Sequence, residues 1–151
     1  MNILFVCTGN TCRSPMAEAV TKQMIPQANV QSAGIFAMDG GSANQHAETV
    51  LKEKNIHINH EAQPVTRDLL LWADLILTMT IQHREILSTQ YLEVADKTFT
   101  LKEFVETGKD YSTQDITDPF GADVSTYRET LAELITNIEH LQRKMEEERD
   151  R

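Results

Sequence analysis

Four apolar residues, Ile3–Val6, run directly into Cys7-Thr8-Gly9-Asn10-Thr11-Cys12-Arg13-Ser14, then Pro15, then an Ala/Met/Glu/Lys-rich stretch ending at Ile25. The segment Asn2–Val6, rich in β-branched and aromatic residues and fully apolar from Ile3 to Val6, suits a central strand buried on both faces, as in a parallel sheet. The stretch beyond Pro15 reads as a helix. Ser14 can serve as its N-cap, and Pro15 at the first helical position gives up an amide that has no partner there. A buried strand passing straight into a helix through one short loop is half of a β-α-β unit, and few folds can accept it.

The rest of the chain repeats that alternation. Strands are expected at Asn29–Ser32, Leu75–Met79 and Lys97–Leu101, and helices at about Ser42–Lys54, Asp68–Trp72, Gln82–Tyr91 and Ser125–Glu148. Ala43, Ala47, Val50 and Leu51 supply the apolar stripe of the second helix, and Leu131, Leu134, Ile135, Ile138, Leu141 and Met145 that of the last. Residues 106–121, rich in glycine and aspartate, read as a long functional loop. With 151 residues, on a scale of roughly 100–200 per domain, this implies one domain of α/β class. The expected architecture is an open parallel four-stranded sheet with helices on both faces, its ligand site beyond the carboxyl ends of the strands, where Cys7 begins.

Charge narrows the choice of ligand. The net charge of −9 disfavours attraction to nucleic acid or to an anionic membrane surface. Yet through residue 35 the charged residues are only Arg13, Lys22 and Glu18, so this amino-terminal part of the chain can host an anion. No apolar run approaches the roughly 20 residues that span a bilayer. The expectation is a soluble, cytoplasmic, monomeric protein with no membrane or nucleic-acid partner. Two cysteines without CxxC spacing favour reduced thiols over a zinc knuckle or disulfide scaffold. His57 and His60 come with no matching third ligand, so they, like His46, His83 and His140, read as solvated surface residues. No metal and no cofactor are expected. Trp72 and Leu69–Leu71 read as core packing, and Tyr91, Tyr111 and Tyr127 carry no assignable role.

A Cys-x5-Arg-Ser loop between a strand end and a helix start has a definite chemistry. Successive backbone N–H groups converge on one point, and the helix behind adds partial positive charge, so a tetrahedral dianion can be held there. Gly9 relieves the sterics of the loop and Asn10 tolerates left-handed backbone. The planar fork of Arg13 can clamp two oxygens of the anion. Cys7 lies at the floor of this cradle, where the same donors favour a thiolate, and the hydroxyl of Ser14 can donate to it. A preformed nucleophile then faces an electrophilic phosphorus. From spacing alone, Asp118-Pro119 is a turn initiator.

The stretch FVCTGNTCRSPMAEA, with SAG at 32–34, ADLILTM at 73–79 and DPFG at 118–121, resembles the low-molecular-weight protein tyrosine phosphatases over essentially the whole chain. That resemblance implies a two-step reaction in which Cys7 attacks phosphorus, Arg13 and the loop amides stabilise the transition state, and Asp118 protonates the leaving group. A phosphocysteine is then hydrolysed with Asp118 as base. Thr8, Gly9, Asn10, Thr11, Cys12, Ser14 and Phe120 are the expected phosphate- and substrate-binding residues, and phosphorylated proteins the expected substrates.

Two positions depart from the usual tyrosine-specific pattern. Thr11 stands where a larger aliphatic residue is typical, and Phe120 is followed by Gly121 rather than by another aromatic residue. CTGNTCRS with DPFG instead resembles the bacterial protein arginine phosphatases of this family. Thr11 offers a smaller, polar wall, and Phe120 can stack on a guanidinium, an attraction of about 0.5–2 kcal/mol. Met38-Asp39-Gly40-Gly41 is expected to form a further wall, with Asp39 close to a cationic substrate. A phosphotyrosine specificity is the alternative. An arsenate reductase is remote, because such enzymes relay a disulfide to downstream cysteines and none follows Cys12.

The resemblance also implies a redox pairing of Cys12 with Cys7, set against the alternative that Cys12 only packs the loop. A reversible switch requires mass spectrometry to find an intact Cys7–Cys12 disulfide after mild peroxide. Recovery of overoxidised Cys7 alone would leave Cys12 a packing residue.

Overall fold

The computed structural model of the chain describes residues 1–105 and 114–150. Strand β1 (Asn2–Cys7) is followed by α1 (Arg13–Met24), β2 (Asn29–Gly34), α2 (Gln45–Glu53), α3 (Arg67–Trp72) and β3 (Leu75–Thr78). Helix α4 (Ile81–Gln90), a 3₁₀ turn (Leu92–Lys97), β4 (Thr98–Thr100), α5 (Leu101–Val105) and α6 (Val124–Arg149) complete it. All three strand pairs are parallel, in the order β2-β1-β3-β4.

Alternation along β1 divides the core. Ile3, Phe5 and Cys7 face a large cluster built with Met16 and Val20 of α1, Val50 and Leu51 of α2, and Tyr127, Leu131, Leu134, Ile138 and Leu141 of α6. Leu4 and Val6 face the opposite way, toward Leu70 of α3 and Leu87 of α4. A strand with no solvent face must be apolar at every position, as Ile3–Val6 is. Each such side chain contributes roughly 1.5–3 kcal/mol on burial. The expected four-stranded parallel sheet with helices on both faces is what the chain forms. No described helix is long and apolar enough to cross a membrane.

Several boundaries differ from expectation. Helix α1 begins at Arg13 with Cys12 at its N-cap, where no side chain caps it. Ser14 is therefore not the cap; the loop already winds into the helix, and Met16 N–H donates to Cys12 O at 3.1 Å. Pro15 still lies in the first turn, where a missing amide costs nothing. Helix α2 starts at Gln45, capped by the Asn44 side chain, because Ser42 is drawn into a bridge with Glu61. The 3₁₀ turn and α5 were not expected. Of the Leu69–Trp72 group only Leu70 is fully buried, and Leu71 is 56% exposed, so that short helix offers one face to the core. Of the expected loop 106–121, residues 106–113, with Tyr111, lie outside the described residues.

β1 lies between β2 and β3, so the chain leaves it in one direction for β2 and returns on the other side. The loop after Cys7 sits at that switch point, where open α/β sheets place their ligands. Its outer wall is the end of β2. Ile35 N–H donates to Cys7 O at 3.0 Å and Phe36 N–H to Thr8 O at 2.9 Å. This close approach requires Gly34, since a Cβ there would stand 2.6 Å from Thr8 O and 2.9 Å from Asn10 N. Gly9 has no such need: a Cβ on it would meet only Thr11 Oγ1, at 3.8 Å. The crowded glycine of the loop is thus a neighbour in space, 25 residues later in the chain (34 − 9).

Gly34→Ala is expected to lower stability by about 1–3 kcal/mol, as overpacking does, read as a fall in the urea midpoint. An unchanged midpoint would show that the backbone of residues 8–10 has slack.

Candidate active site

Cys7 ends β1 with its side chain almost fully buried, at 3% exposure. Two donors reach its sulfur. Ser14 Oγ lies 2.8 Å from Cys7 Sγ, and the Asn10 backbone N–H points at it from 3.3 Å. Asn10 adopts the left-handed conformation, φ 56°, which turns its amide back into the loop. That conformation is disfavoured for a residue with a Cβ, and the surroundings hold it. Asn10 Nδ2 donates to Ser14 Oγ at 2.8 Å and to Ser32 Oγ at 2.9 Å, while Oδ1 accepts from Gln63 N at 3.0 Å. Its backbone carbonyl meets His60 Nε2 at 2.6 Å.

The polarity of this network follows from counting hydrogens. Ser14 Oγ accepts one from Asn10, so its own is free to point at Cys7 Sγ. Ser32 likewise accepts from Asn10 and donates to Glu18 Oε1 at 2.6 Å. Asn10 thus leaves the Ser14 hydroxyl hydrogen available to the sulfur.

Arg13 opens α1 and is 5% exposed. One Nη1 hydrogen goes to Ile116 O at 3.1 Å, and Nη2 lies 3.5 Å from Asp118 Oδ2. Asp118 is more than half exposed at its side chain, and its Oδ1 accepts from Phe120 N at 3.1 Å. Cys7, Thr8, Gly9, Thr11, Cys12, Arg13, Asp118 and Phe120 together line a cleft of about 220 Å³. Of the expected site residues, only Asn10 and Ser14 stand behind this lining, both fully buried. Met38–Gly41 is not part of the lining. The bonds Ala62 N to Gly41 O and Gly40 N to Ala62 O tie that loop to residue 62 instead. A larger depression of about 820 Å³ along α2, lined by Glu48, Lys52, Glu53 and His57 among others, brings no nucleophile together with a cation. The smaller cleft is the one in which a thiol, a guanidinium and a carboxyl group converge.

Some residues around the cleft gave no local sign in the sequence. His60 holds the Asn10 carbonyl, and His83 is 95% buried with Nε2 2.8 Å from Thr8 Oγ1. Neither is a solvated surface residue, whereas His46, His57 and His140 are exposed. Burial holds His83 well below the usual imidazole range, at about 4, and the nearby Arg13 charge adds to this. Tyr127 of α6 is buried, with its Oη 3.3 Å from Cys12 Sγ, and burial raises the Cys12 thiol above its ordinary value. Each of these partners lies at least 50 residues along the chain from the loop residue it touches (60 − 10 for the nearest), so no local pattern announces them. Among the described residues no three His, Cys, Asp or Glu side chains gather as metal ligands do.

The arrangement can seat a tetrahedral oxyanion between a guanidinium and a sulfur that already receives two hydrogen bonds, with a carboxyl group at the rim. The sequence profile described as low molecular weight phosphotyrosine protein phosphatase matches residues 2–151. The chain is 46% identical over 153 residues to a protein-arginine-phosphatase of Bacillus subtilis strain 168, covering 99% of each. It is 40% identical over 136 residues to a low molecular weight protein-tyrosine-phosphatase, PtpB, of Staphylococcus haemolyticus, covering 89% of this chain and 93% of the other. Among solved structures, a YwlE arginine phosphatase described as a C7S mutant with phosphorylated active site serine superposes with a TM-score of 0.92 at 43% identity, covering 99% of each chain. By a match that spans nearly its full length, the chain belongs to the low molecular weight phosphotyrosine protein phosphatase family.

Proposed function

We propose that this cysteine-dependent protein phosphatase removes phosphate from phosphorylated arginine side chains of proteins. The observation that carries the reading is the convergence on one cleft of Cys7 Sγ, held at 2.8 Å by Ser14, with Arg13 and Asp118 3.5 Å apart. Cys7 attacks phosphorus, forming an S–P bond as the P–N bond to the guanidine breaks. Asp118 gives its proton to the departing nitrogen. Arg13 and the loop amides bind the oxygens on which charge accumulates, the kind of preorganised stabilisation that contributes most to such reactions. Water then attacks the phosphocysteine, its proton passes to Asp118, and the electron pair returns to sulfur, which Ser14 receives with its hydroxyl hydrogen.

Arginine is favoured over tyrosine by the walls of the cleft. Thr11 and Phe120 both line it, and Phe120, 74% exposed, has a ring face available to a guanidinium. The 46% identity to a protein-arginine-phosphatase, above the 40% to the tyrosine-phosphatase relative, supports the same choice. A pure oxyanion-binding module needs Arg13 and the amides but no thiol at their base. A phosphocysteine carrier would store phosphate, which an Asp118 poised to assist cleavage opposes.

Hydrolysis of phosphoarginine, phosphotyrosine and phosphoserine peptides side by side tests the specificity. The phosphoarginine peptide is expected to turn over fastest, and a preference for phosphotyrosine would replace this reading by the alternative. Thr11→Ile should move the ratio of phosphotyrosine to phosphoarginine turnover upward by about tenfold or more, the scale on which one or two carbons discriminate substrates. An unchanged ratio would remove Thr11 from the specificity account. Asp118→Asn should slow substrates with poor leaving groups by about 10²–10⁴-fold and activated aryl phosphates far less. Equal losses on both would exclude it as the acid.

A further inference from the structure

Thr8 is the first residue of the loop beyond the nucleophile, and it is tied at two points. Its carbonyl accepts from Phe36 N at 2.9 Å, and its hydroxyl meets His83 Nε2 at 2.8 Å. The Thr8 carbonyl and the Gly9 N–H belong to one planar trans peptide, so fixing the former aims the latter in the opposite direction. The hydroxyl bond fixes the Thr8 side-chain rotamer and ties the residue to α4. Thr8 and Gly9 both line the cleft.

His83 is an odd choice if its task is only to fill space. Its Nδ1 is buried and, among the described residues, has no hydrogen-bond partner. An apolar ring of similar size would avoid that cost. Its other nitrogen spends its bond on Thr8. The segment that carries His83 also holds the other wall of the cleft. Ile116 N–H donates to Met79 O at 2.8 Å, and Ile81 N–H to Asp115 Oδ1 at 2.8 Å. Ile116 O in turn receives Arg13 Nη1. Residues 79–83 thus join the start of the phosphate loop to the strand of chain leading to Asp118.

We propose that His83 is a positioning residue of the hydrolytic reaction, which through its bond to the Thr8 hydroxyl holds the first amides of the loop in their phosphate-binding orientation. This rests on the reading of the cleft as a phosphatase site. The imidazole acts as a fixed neutral partner, its low pKa keeping it uncharged beside Arg13, Asp115 and Asp118.

The test compares inhibition by inorganic phosphate, phosphopeptide turnover and thermal unfolding for the wild type, His83→Phe, Thr8→Val, the double variant and His83→Gln. Each single variant that deletes the bond should weaken phosphate inhibition by about tenfold, as loss of one hydrogen bond of ordinary strength implies. The double variant should be no worse than the poorer single one, because both remove the same interaction. His83→Gln, which can still reach Thr8 with an amide, should restore most of the loss. His83→Phe should unfold at or above the wild-type temperature. Multiplied losses in the double variant, or unaltered phosphate inhibition in the singles, would overturn the proposal. Should His83→Phe fail to fold, Thr8→Val and His83→Gln decide the matter: the first must weaken phosphate binding and the second must not. A wild type that neither hydrolyses the peptide nor binds phosphate removes the reading of the cleft and this proposal together, whereas an active wild type with indifferent variants removes only the role of His83.

Discussion

The hydrogen bonds that converge on Cys7 Sγ are the constraint from which the rest of the structure follows. To direct a backbone amide at the sulfur, Asn10 must adopt a left-handed φ of 56°, and to keep it there every polar group of its side chain is engaged. Those partners come from α1, from β2 and from residue 63, so the helix, the edge strand and the following segment are all recruited to one tight turn. Gly34 supplies the room, since any side chain there would collide with the backbone of residues 8 and 10. The cradle is therefore held by the fold around it and not by its own seven or eight residues.

Electrostatics divides the molecule in the same way. A chain of net charge −9 keeps a buried guanidinium at the amino end of α1. The Asp118 carboxylate 3.5 Å from Arg13 gives that cation a partner while leaving more than half of its own side chain in contact with solvent. The contact is loose enough to leave the guanidinium accessible to an oxyanion, and it keeps the carboxyl group at the rim of the cleft. A tighter, fully buried pair would leave neither residue free to act, because buried partners are costly to separate.

The sequence made the sheet legible because β1 and β3 are buried on both faces and so apolar throughout, a pattern that needs no tertiary knowledge to read. It also pointed to Cys7, Arg13 and Asn10 as candidates, because the chemistry of a Cys-x5-Arg loop is local. What it could not show are contacts made across the fold. Ser14 resembles an N-cap by position, yet its hydroxyl is taken by sulfur, and the helix starts earlier without a side-chain cap. His60 and His83 look like surface residues until the strands bring them to the loop, and Gly34 looks like an ordinary strand end. Tyr127 gave no signal at all, although it packs against Cys12 from a helix more than a hundred residues away (127 − 12 = 115).

The claim that Cys7 is the nucleophile is tested most directly by rapid acid quench during turnover of a phosphopeptide, followed by mass spectrometry of the peptide that holds both cysteines. A transient phosphoryl group is expected on Cys7 and none on Cys12, formed and lost at rates consistent with turnover. Steady hydrolysis with no phosphoryl group ever found on Cys7, or with the group on Cys12, would contradict it.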